Sequence, residues 1–224
     1  MDSMKISKRL VTMIVGAICG LALIVGLVVW FVPVFSVKDI VVEGNANASV
    51  ESVVEASGVQ EGENLIRVNP RKAASGVVSI PWVASATVSR DFPSTLTVQV
   101  EERETVAFVD DNDGQRLIDA QGEEFIIAAP PEEAVEISGE VESGSLEVTN
   151  AVEILAAVPR EIRAQVAQLE IDDPYSYRFR MEDDKTVFWG ANEDNENKAL
   201  AFATVLKLDG KNWDISNPEL VGRS

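Results

Sequence analysis

The sequence predicts an α+β protein, in which an N-terminal transmembrane helix is followed by a β-α-α-β-β unit and then by a β-rich region with flanking helices. Three observations support this fold class. Residues 11–32 contain no charged side chain, strand and helix signals follow one another between residues 36 and 103, and short strand patterns recur after residue 104. We therefore expect one membrane span and two folded regions.

The uncharged run predicts a transmembrane helix over residues 11–33. Its 22 residues, at about 1.5 Å each, are enough to cross the roughly 30 Å hydrocarbon core of a bilayer. Basic residues outnumber acidic ones before the run, so the positive-inside rule places residues 1–10 in the cytoplasm. The rest of the chain is then expected outside the cell membrane, as in a single-pass type II protein.

A cleaved signal peptide is the alternative to an anchor. Its apolar region usually has about 7 to 15 residues and ends in small residues at the cleavage site. Here the run is longer and passes into the bulky sequence WFVPVF, so an uncleaved anchor is favoured.

Small residues recur four apart in the predicted span. Gly16 with Gly20, and Ala22 with Gly26, would allow a second helix to approach closely. Gly16, Gly20 and Gly26 are therefore candidate helix contacts. The alternative is that these residues reflect the ordinary composition of transmembrane helices.

The composition narrows the range of functions. Asp and Glu outnumber Lys and Arg by 37 to 19, for a net charge of −18, so binding of nucleic acid or of anionic lipid is disfavoured. The chain has no histidine, and its single cysteine, Cys19, lies in the predicted span. The commonest general base and zinc ligand are thus missing, and we expect no cofactor, no metal site and no disulfide.

The first folded region begins with a strand and a helix. β-Branched residues in VKDIVVEGN predict a strand that ends at a Gly-Asn turn. Ser49 and Gly58 are the start and stop signals of the helix that follows. Its Val50, Val53 and Val54 share one face and are expected in the core.

A second helix and two strands complete this region. Asn69 is a capping residue, and Pro70 suits the first helical position because its missing N–H has no partner there. ASATVSRDF and STLTVQVEER then predict two strands. In the second strand, Leu96, Val98 and Val100 alternate with polar residues and are expected to face the core.

The second folded region begins near residue 104. Strands are expected over ETVAFVD, QRLIDA, EEFIIAA, VAQLEID, YRFRMED and KTVFWG. Residues 130–144 are acidic and rich in turn residues, and are expected to be an exposed connection. Helices are expected over LEVTNAVEILAAV, which ends before Pro159, and over residues 193–208, whereas NWDIS and ELVGRS form short final pieces. The helical positions expected to face the core are Leu146, Val152, Leu155, Ala156, Leu200, Ala203 and Val205.

Two acidic patterns could carry chemistry. Residues 110–114 (DDNDG) could form a calcium loop, but that alignment places Val109 and Ala120 where carboxylates are needed, so a hairpin turn is favoured. Adjacent acidic pairs, such as Glu101 with Glu102, could serve a glycosidase only if two carboxylates faced each other across a cleft. Exposed, solvated charge is the simpler explanation of these pairs.

Several motifs keep the spacing of a known family. Pro-Trp-Val, Arg-x-x-Pro-x-x-Leu and Val-x-Glu-x-x-x-x-Ala elements occur within IPWVASATVSRDFPSTLTVQVEER and the residues just after it, and VKDIVVEGN and GENLIRVN precede them. This region resembles the POTRA domain of the bacterial FtsQ/DivIB division proteins. RLIDAQGEEF, KTVFWGANEDNENKALAF and Trp-Asp-Ile at residues 213–215 resemble that family's later strands and its Lys-containing helix. The resemblance implies a POTRA domain over residues 36–103 and a β-rich, partner-binding domain over residues 104–224.

The resemblance also implies a function. It implies a non-enzymatic, membrane-anchored scaffold of the divisome at the division septum, whose partners are FtsB and FtsL and other divisome components. Strand addition to a sheet edge would give affinity through main-chain hydrogen bonds and specificity through side-chain pockets. Among the tryptophans, Trp213 is the candidate for direct contact. By position, the family's partner surface corresponds to Trp213, Asp214, Ile215, Ser216, Glu219, Leu220, Val221 and Arg223.

Two alternative functions remain open at this point. A membrane-tethered cell-wall hydrolase using an acidic pair would show two facing carboxylates in a concave site. A POTRA chaperone that hands polypeptide to a transporter would be expected to carry tandem copies, and the sequence shows no internal repeat. An open sheet edge would instead favour the scaffold.

Overall fold

The computed structural model describes residues 8–31, 35–111, 113–139, 142 and 144–223. The chain divides into two compact units, Met1–Glu102 and Arg103–Ser224. Each unit combines a β-sheet with helices, so the predicted α+β class is confirmed for the two folded regions.

The N-terminal helix α1 spans Lys8–Phe31. Its described side chains are those of residues 13–24 and 26. Within the described part of the chain, no helix is long and apolar enough to cross a membrane. Most of the predicted cytoplasmic tail, residues 1–7, and the end of the predicted span, residues 32–33, lie outside the described residues. The transmembrane helix therefore stays a prediction.

The three glycines predicted to contact another helix lie on α1. A Cβ built at Gly16, Gly20 or Gly26 would meet no atom within 4 Å in the described structure. Each position is open to close approach by a second helix, and the helix contact also stays a prediction.

The first unit contains a three-stranded sheet and two helices after α1. The elements are β1 (Asp39–Glu43), α2 (Val50–Ser57), α3 (Pro70–Val77), β2 (Val83–Asp91) and β3 (Thr95–Glu102). The strand order is β1-β3-β2, with β1 parallel and β2 antiparallel to β3. The predicted β-α-α-β-β order is confirmed, and β1 and β2 form the two edges of the sheet.

Helices α2 and α3 begin at the predicted capping residues. The Ser49 side chain accepts a hydrogen bond from the N–H of Ser52 at 3.1 Å. Gly58 ends α2 in the left-handed conformation, with a φ of +66° that disfavours other residues. Asn69 accepts hydrogen bonds from two backbone N–H groups at the start of α3, where Pro70 occupies the first turn.

The core of the first unit lies between the sheet and these helices. The inward-facing residues of β3 are buried, as their alternation predicts; they are Leu96, Val98 and Val100. On α2, Val53 is fully buried but Val50 is 44% exposed. The expectation for Val50 is wrong, because this first residue of α2 lines an open groove with Ile40 instead of packing in the core.

Glu102 fastens the loop after β1 to the end of β3. Its carboxylate accepts hydrogen bonds from the backbone N–H groups of Ala46, Asn47 and Ala48 at 2.8 to 3.0 Å. Burial alone would raise the pKa of the Glu102 carboxyl, but these hydrogen bonds together outweigh it and hold the pKa below its usual value. Glu102 is the glutamate of the Val-x-Glu-x-x-x-x-Ala element, so the structure gives that motif a physical role.

The second unit is built on a nine-stranded sheet with the order β12-β11-β10-β9-β8-β7-β4-β5-β6. The strands are β4 (Thr105–Asp111), β5 (Gly114–Asp119), β6 (Glu124–Ile127), β7 (Val135–Ser138), β8 (Val166–Asp173), β9 (Ser176–Met181), β10 (Thr186–Gly190), β11 (Asn212–Asp214) and β12 (Gly222–Arg223). The helices are α4 (Leu146–Ala157), α5 (Arg160–Arg163) and α6 (Asn195–Val205). The six strands predicted in this region are confirmed. β4 and β5 pair antiparallel with Asp111 opposite Gly114, as the predicted hairpin requires, whereas Asn112 lies outside the described residues.

The expectation for residues 130–144 is wrong in its central part. Strand β7 lies there, and it pairs in parallel with β4 on one side and with β8 on the other. Val135 and Ile137 are each 1% exposed and belong to the core. Alternation over only four residues, between long acidic and turn-rich stretches, is too short to distinguish a strand from a loop.

Helices α4 and α6 pack on the core of the second unit, but not with all the predicted residues. The residues that are buried as predicted are Val152, Leu155 and Val205. The residues that are exposed, against the prediction, are Leu146, Ala156 and Leu200. Leu146 is the first residue of α4, and the buried residues of α6 are spaced so that Leu200 turns away from the core.

We expect Glu102→Gln to lower the free energy of unfolding of the first unit by about 1 kcal/mol, because hydrogen bonds to a charged acceptor are stronger than those to a neutral one and solvent weakens the difference. The native pKa of Glu102 lies below its unfolded value. The difference between parent and variant is therefore present at neutral pH and is lost as the pH falls through the native pKa. The measurement is the urea concentration at which the first unit is half unfolded. It is read from hydrogen exchange of peptides from residues 35–102, once at neutral pH and once at a pH below the native pKa of Glu102.

Glu101→Gln is the matched control for this prediction. Glu101 is the exposed neighbour of Glu102, and its carboxylate accepts a hydrogen bond from the hydroxyl of Ser85 at 2.8 Å. Equal losses in the two variants, or a Glu102→Gln difference that persists unchanged in acid, would contradict this role of Glu102.

Candidate functional site

The C-terminal elements form one edge of the nine-stranded sheet. β10 pairs in parallel with β11, where Val187 lies opposite Trp213, and β11 pairs antiparallel with β12, where Trp213 lies opposite Arg223. β12 is last in the strand order, so no strand of the described structure pairs with its outer side. The contact residues that the family resemblance implies all lie in β11, β12 or the segment between them.

Two of these residues face the core. Trp213 is 9% exposed and Ile215 is fully buried. The guanidinium carbon of Arg223 lies 5.9 Å from the centre of the Trp213 ring. The side chain of Trp213, the tryptophan expected to contact a partner, faces the core, because Trp213 and Ile215 share the buried face of the chain, two residues apart. Their role is to hold β11 in the sheet, and contact of Trp213 with a partner stays a prediction.

Side-chain hydrogen bonds fix the turn between β11 and β12. Asp214 Oδ1 accepts hydrogen bonds from the N–H and the hydroxyl of Ser216 at 2.9 and 2.7 Å. Asn217 Oδ1 accepts from the N–H of Glu219 at 3.1 Å, and the carbonyl of Asn217 accepts from the N–H of Leu220 at 3.0 Å. The turn therefore has a defined path, and it leaves the Leu220 side chain 76% exposed.

A groove of about 420 Å³ lies between α6 and this turn. Helix α6 contributes Leu200, Ala201 and Thr204 to its walls, and the turn contributes Pro218 and Val221. Leu200 is 68% exposed and Val221 is 40% exposed. Apolar side chains on both walls, beside the free edge of β12, can receive the side chains of an added peptide segment.

The sequence does not predict that α6 forms one wall of this groove, because Leu200 is predicted to lie in the core. The signal that would have found it is the spacing of Ala199, Phe202 and Val205, which lie three residues apart and are buried. These three residues mark the inner face of α6, so Leu200 falls on its flank.

Lys198 ties α6 to the loop that follows β10. Its side chain is 1% exposed, and its Nζ donates a hydrogen bond to the carbonyl of Ala191 at 2.8 Å. Burial lowers the pKa of the Lys198 ammonium group, and the charges of Glu193, Asp194 and Asp214 oppose that effect. Lys198 lies in the helix that resembles the family's Lys-containing helix, and its role here is to position the groove.

Gly190 lets the end of β10 approach the segment after β11. Its φ is +75°, and a Cβ at this position would lie 2.8 Å from the Cβ of Ser216. A side chain at residue 190 is therefore excluded both by the backbone conformation and by the contact with Ser216.

Two carboxylates from the adjacent acidic pairs of the sequence, those of Asp172 and Glu102, make structural contacts. Asp172 forms an ion pair with Arg178 at 3.1 Å, and the Glu102 carboxylate holds the loop after β1. Over the residues that the structure describes, no group of three or more side chains could hold a metal ion. The sheet of the second unit ends at β12 on one side and at β6 on the other, and the residues implied by the family resemblance lie at the β12 edge.

The fold and this edge define a two-unit α+β protein in which a POTRA-type unit is followed by a β-rich unit. Residues 35–103 match the family model of the FtsQ-type POTRA domain, and residues 107–220 match that of the C-terminal region of the cell division proteins FtsQ/DivIB. The chain belongs to the FtsQ/DivIB family of cell division proteins, and the resemblance drawn from its motifs is confirmed.

Relatives of known name agree with this assignment. The cell division protein FtsQ of Corynebacterium glutamicum is 41% identical over 222 residues, covering 96% of this chain and 98% of the relative. FtsQ of Mycobacterium tuberculosis H37Rv is 31% identical over 95% of this chain and 68% of the relative. FtsQ of Mycobacterium leprae is 33% identical, and there the match spans 62% of the relative's length.

A solved structure is also similar to part of the chain. It is the major extracytoplasmic domain of the division protein DivIB from Geobacillus stearothermophilus, with a TM-score of 0.37 and 16% sequence identity. The match covers 49% of this chain and 99% of that one.

We expect Gly190→Ala to loosen the C-terminal edge. The change forces a side chain into a left-handed conformation, which costs on the order of 1–3 kcal/mol, and it also pushes against Ser216 at 2.8 Å. Hydrogen exchange of peptides from residues 210–223 should accelerate about tenfold, while peptides from β5 and β6 should be unaffected.

Gly144→Ala is the matched control for this prediction. Gly144 has a similar φ of +68°, but a Cβ there would meet no described atom within 4 Å. Equal exchange at residues 210–223 in the parent and in Gly190→Ala would show that the contact with Ser216 does not hold the edge.

Proposed function

We propose that this chain is a non-enzymatic scaffold of the divisome, anchored in the cell membrane with its N-terminus in the cytoplasm. Its extracytoplasmic β-rich domain would bind the single-span proteins FtsB and FtsL, and with them other divisome components, at the septum. Binding occurs by addition of a partner strand to β12. The observation that carries this proposal is the position of β12 at the sheet edge, next to a groove whose walls include the apolar side chains of Leu200 and Val221.

The main chain of β12 supplies affinity in this mechanism. β12 consists of Gly222 and Arg223, and the outward N–H and C=O groups of an edge strand are free to form hydrogen bonds with an added strand. A partner segment would extend the sheet by one strand and would stabilise the short pairing between β11 and β12.

The groove beside α6 supplies specificity. Alternate side chains of an added strand point to the same face of the sheet, and those on the α6 side would meet Leu200 and Val221. The exposed Leu220 extends this apolar surface. Burial of one leucine-sized side chain contributes about 1.5–3 kcal/mol, so two such contacts are enough to select a partner.

A scaffold fits the chemistry of the chain better than a cell-wall hydrolase does. The chain has no histidine. Two of the carboxylates on the sheet, Glu170 and Asp172, form ion pairs with Arg178, and Asp119 pairs with Arg103. A glycosidase needs two carboxylates held free across a cleft, and these three are committed to arginine partners.

The uncharged run of residues 11–32 supports the proposed membrane anchor. In this proposal residues 1–10 form a cytoplasmic tail, residues 11–33 the span, and residues 36–103 and 104–224 two separate extracytoplasmic domains. Gly16, Gly20 and Gly26 remain candidate contacts with a partner helix in the membrane.

We expect Val221→Pro to weaken binding of a purified FtsB–FtsL complex about tenfold or more, which corresponds to at least roughly 1.4 kcal/mol. Proline removes one N–H group and restricts φ next to β12, but an edge position tolerates it without unfolding of the sheet. The measurement is the dissociation constant of the full chain in detergent, together with its melting temperature.

Val221→Ala is the matched control, because it removes most of the side chain and keeps the N–H group. Val221→Ala should weaken binding of the FtsB–FtsL complex less than Val221→Pro does. If the proline variant binds FtsB–FtsL as tightly as the parent does, strand addition at this edge is not the mechanism. If that variant unfolds the second unit, the segment is part of the core and the placement of the edge is wrong.

We also expect the N-terminal segment to be retained in the mature protein. The physical reason is that the uncharged run is longer than the apolar region of a signal peptide and is not followed by a small-residue cleavage site. The intact mass of protein extracted from membranes should correspond to a chain that includes residues 11–33. A mature form that begins near residue 36 would contradict the anchor.

A further inference from the structure

The first unit has an edge strand of its own. β1 is the outer strand of the order β1-β3-β2, and its pairing with β3 runs without a bulge over Asp39–Glu43. The three central residues of β1, Ile40, Val41 and Val42, are β-branched and apolar, and Val41 is 40% exposed. Proteins often protect edge strands with proline, lysine, a bulge or a covering loop. The first three do not occur within β1, and the loop at residues 62–64 pairs only with Ser36 and Val37, just before Asp39–Glu43.

An apolar groove runs beside this edge on the helix side of the sheet. It has a volume of about 560 Å³ and lies between β1 and α2. Ile40 of β1, Val50 and Val54 of α2, and Val59 beyond α2 line it. Val50 is the residue that the helical pattern places in the core, and it is 44% exposed in this groove. The groove therefore leaves apolar surface uncovered at the place where an added strand would lie.

Acidic side chains outnumber basic ones on both faces of this edge, and the exposed Lys38 directly precedes β1. On the helix side, Glu51, Glu55 and Glu61 line the groove, and its described lining includes no lysine or arginine. On the opposite face, Asp39 and Glu43 stand at the two ends of β1 and are exposed, with Val41 between them. A single exposed charge pair contributes little, but several like charges around one edge together favour a partner of opposite sign.

We propose that β1 binds an extended segment of a partner protein in which apolar residues alternate with lysine or arginine. The segment adds to the sheet as a fourth strand. Its apolar side chains enter the groove between β1 and α2, and its basic side chains lie on the opposite face beside Asp39 and Glu43. The alternation follows from strand geometry, because successive side chains of the added strand point to opposite faces.

This docking surface is distinct from the C-terminal edge. It lies on the first unit, it selects a basic partner through its carboxylates, and its floor is made by α2. Binding at β1 does not depend on the function proposed for β12, so each surface can be tested while the other is intact.

The test uses a synthetic peptide with the sequence Lys-Val-Lys-Val-Lys-Val-Lys, fluorescently labelled, and the full chain in a nonionic detergent. We expect saturable binding and slower hydrogen exchange at residues 39–43. A second peptide, N-methylated at two adjacent central residues, cannot pair through either edge and should bind at least tenfold more weakly. Equal binding of the two peptides, or no binding of the first, would overturn the proposal.

A charge-reversal pair separates this edge from the general acidity of the chain. Asp39→Lys with Glu43→Lys should weaken binding of the first peptide at least tenfold. Glu132→Lys with Glu142→Lys changes the net charge equally at exposed positions of the second unit and should change binding less than twofold. Equal losses in the two double variants would overturn the proposal, since they would show a non-specific attraction.

A third variant keeps the test decisive if the first double variant fails to fold. Glu55→Lys alters one exposed side chain on α2 that lines the groove, and it leaves β1 unchanged. It should weaken binding of the lysine–valine peptide several-fold, with unchanged hydrogen exchange in α2 of the free protein. Unchanged peptide affinity in a folded Glu55→Lys protein would overturn the assignment of this groove.

Discussion

The parallel pairing of β10 with β11 forces the chain to cross one face of the second sheet between these two strands, because parallel neighbours cannot be joined by a tight turn. Helix α6 makes this crossing and packs its inner face into the core. The crossing sets α6 beside the turn that precedes β12, and it leaves β12 as the outer strand. Lys198 and Gly190 serve the same arrangement, since one holds the loop after β10 and the other permits the close approach of Ser216.

Much of the fold was predictable because its signals act over a few residues. The caps at Ser49 and Asn69 form hydrogen bonds within three residues of the chain, and the alternation of Leu96 and Val98 depends only on the geometry of one strand. The Val-x-Glu motif shows the limit of such reasoning. Spacing identified Glu102 as a family residue, but its role depends on a loop 54 to 56 residues earlier in the chain.

The remaining features depend on contacts that no local pattern contains. The four residues of β7 form a central strand because two neighbours pair with them in parallel. Val50 and Leu200 are apolar residues of α2 and α6, yet neither is covered by the rest of its unit, and each lines an open groove. Trp213 looked like a contact residue from its place in a terminal motif, whereas the pairing of β11 turns its ring into the core. The family resemblance was thus enough to locate the candidate edge, whereas the groove beside it could be found only from the structure.

The most direct test of the proposed mechanism is hydrogen exchange of the full chain with and without a purified FtsB–FtsL complex. The β6 strand provides an internal control, because it forms the opposite edge of the same sheet and its Ile127 is 54% exposed. Strand addition at β12 predicts slower exchange at residues 212–223 in the complex and unchanged exchange at residues 124–127. Slower exchange at β6, or unchanged exchange at residues 212–223, would contradict the assignment of the partner-binding edge to β12.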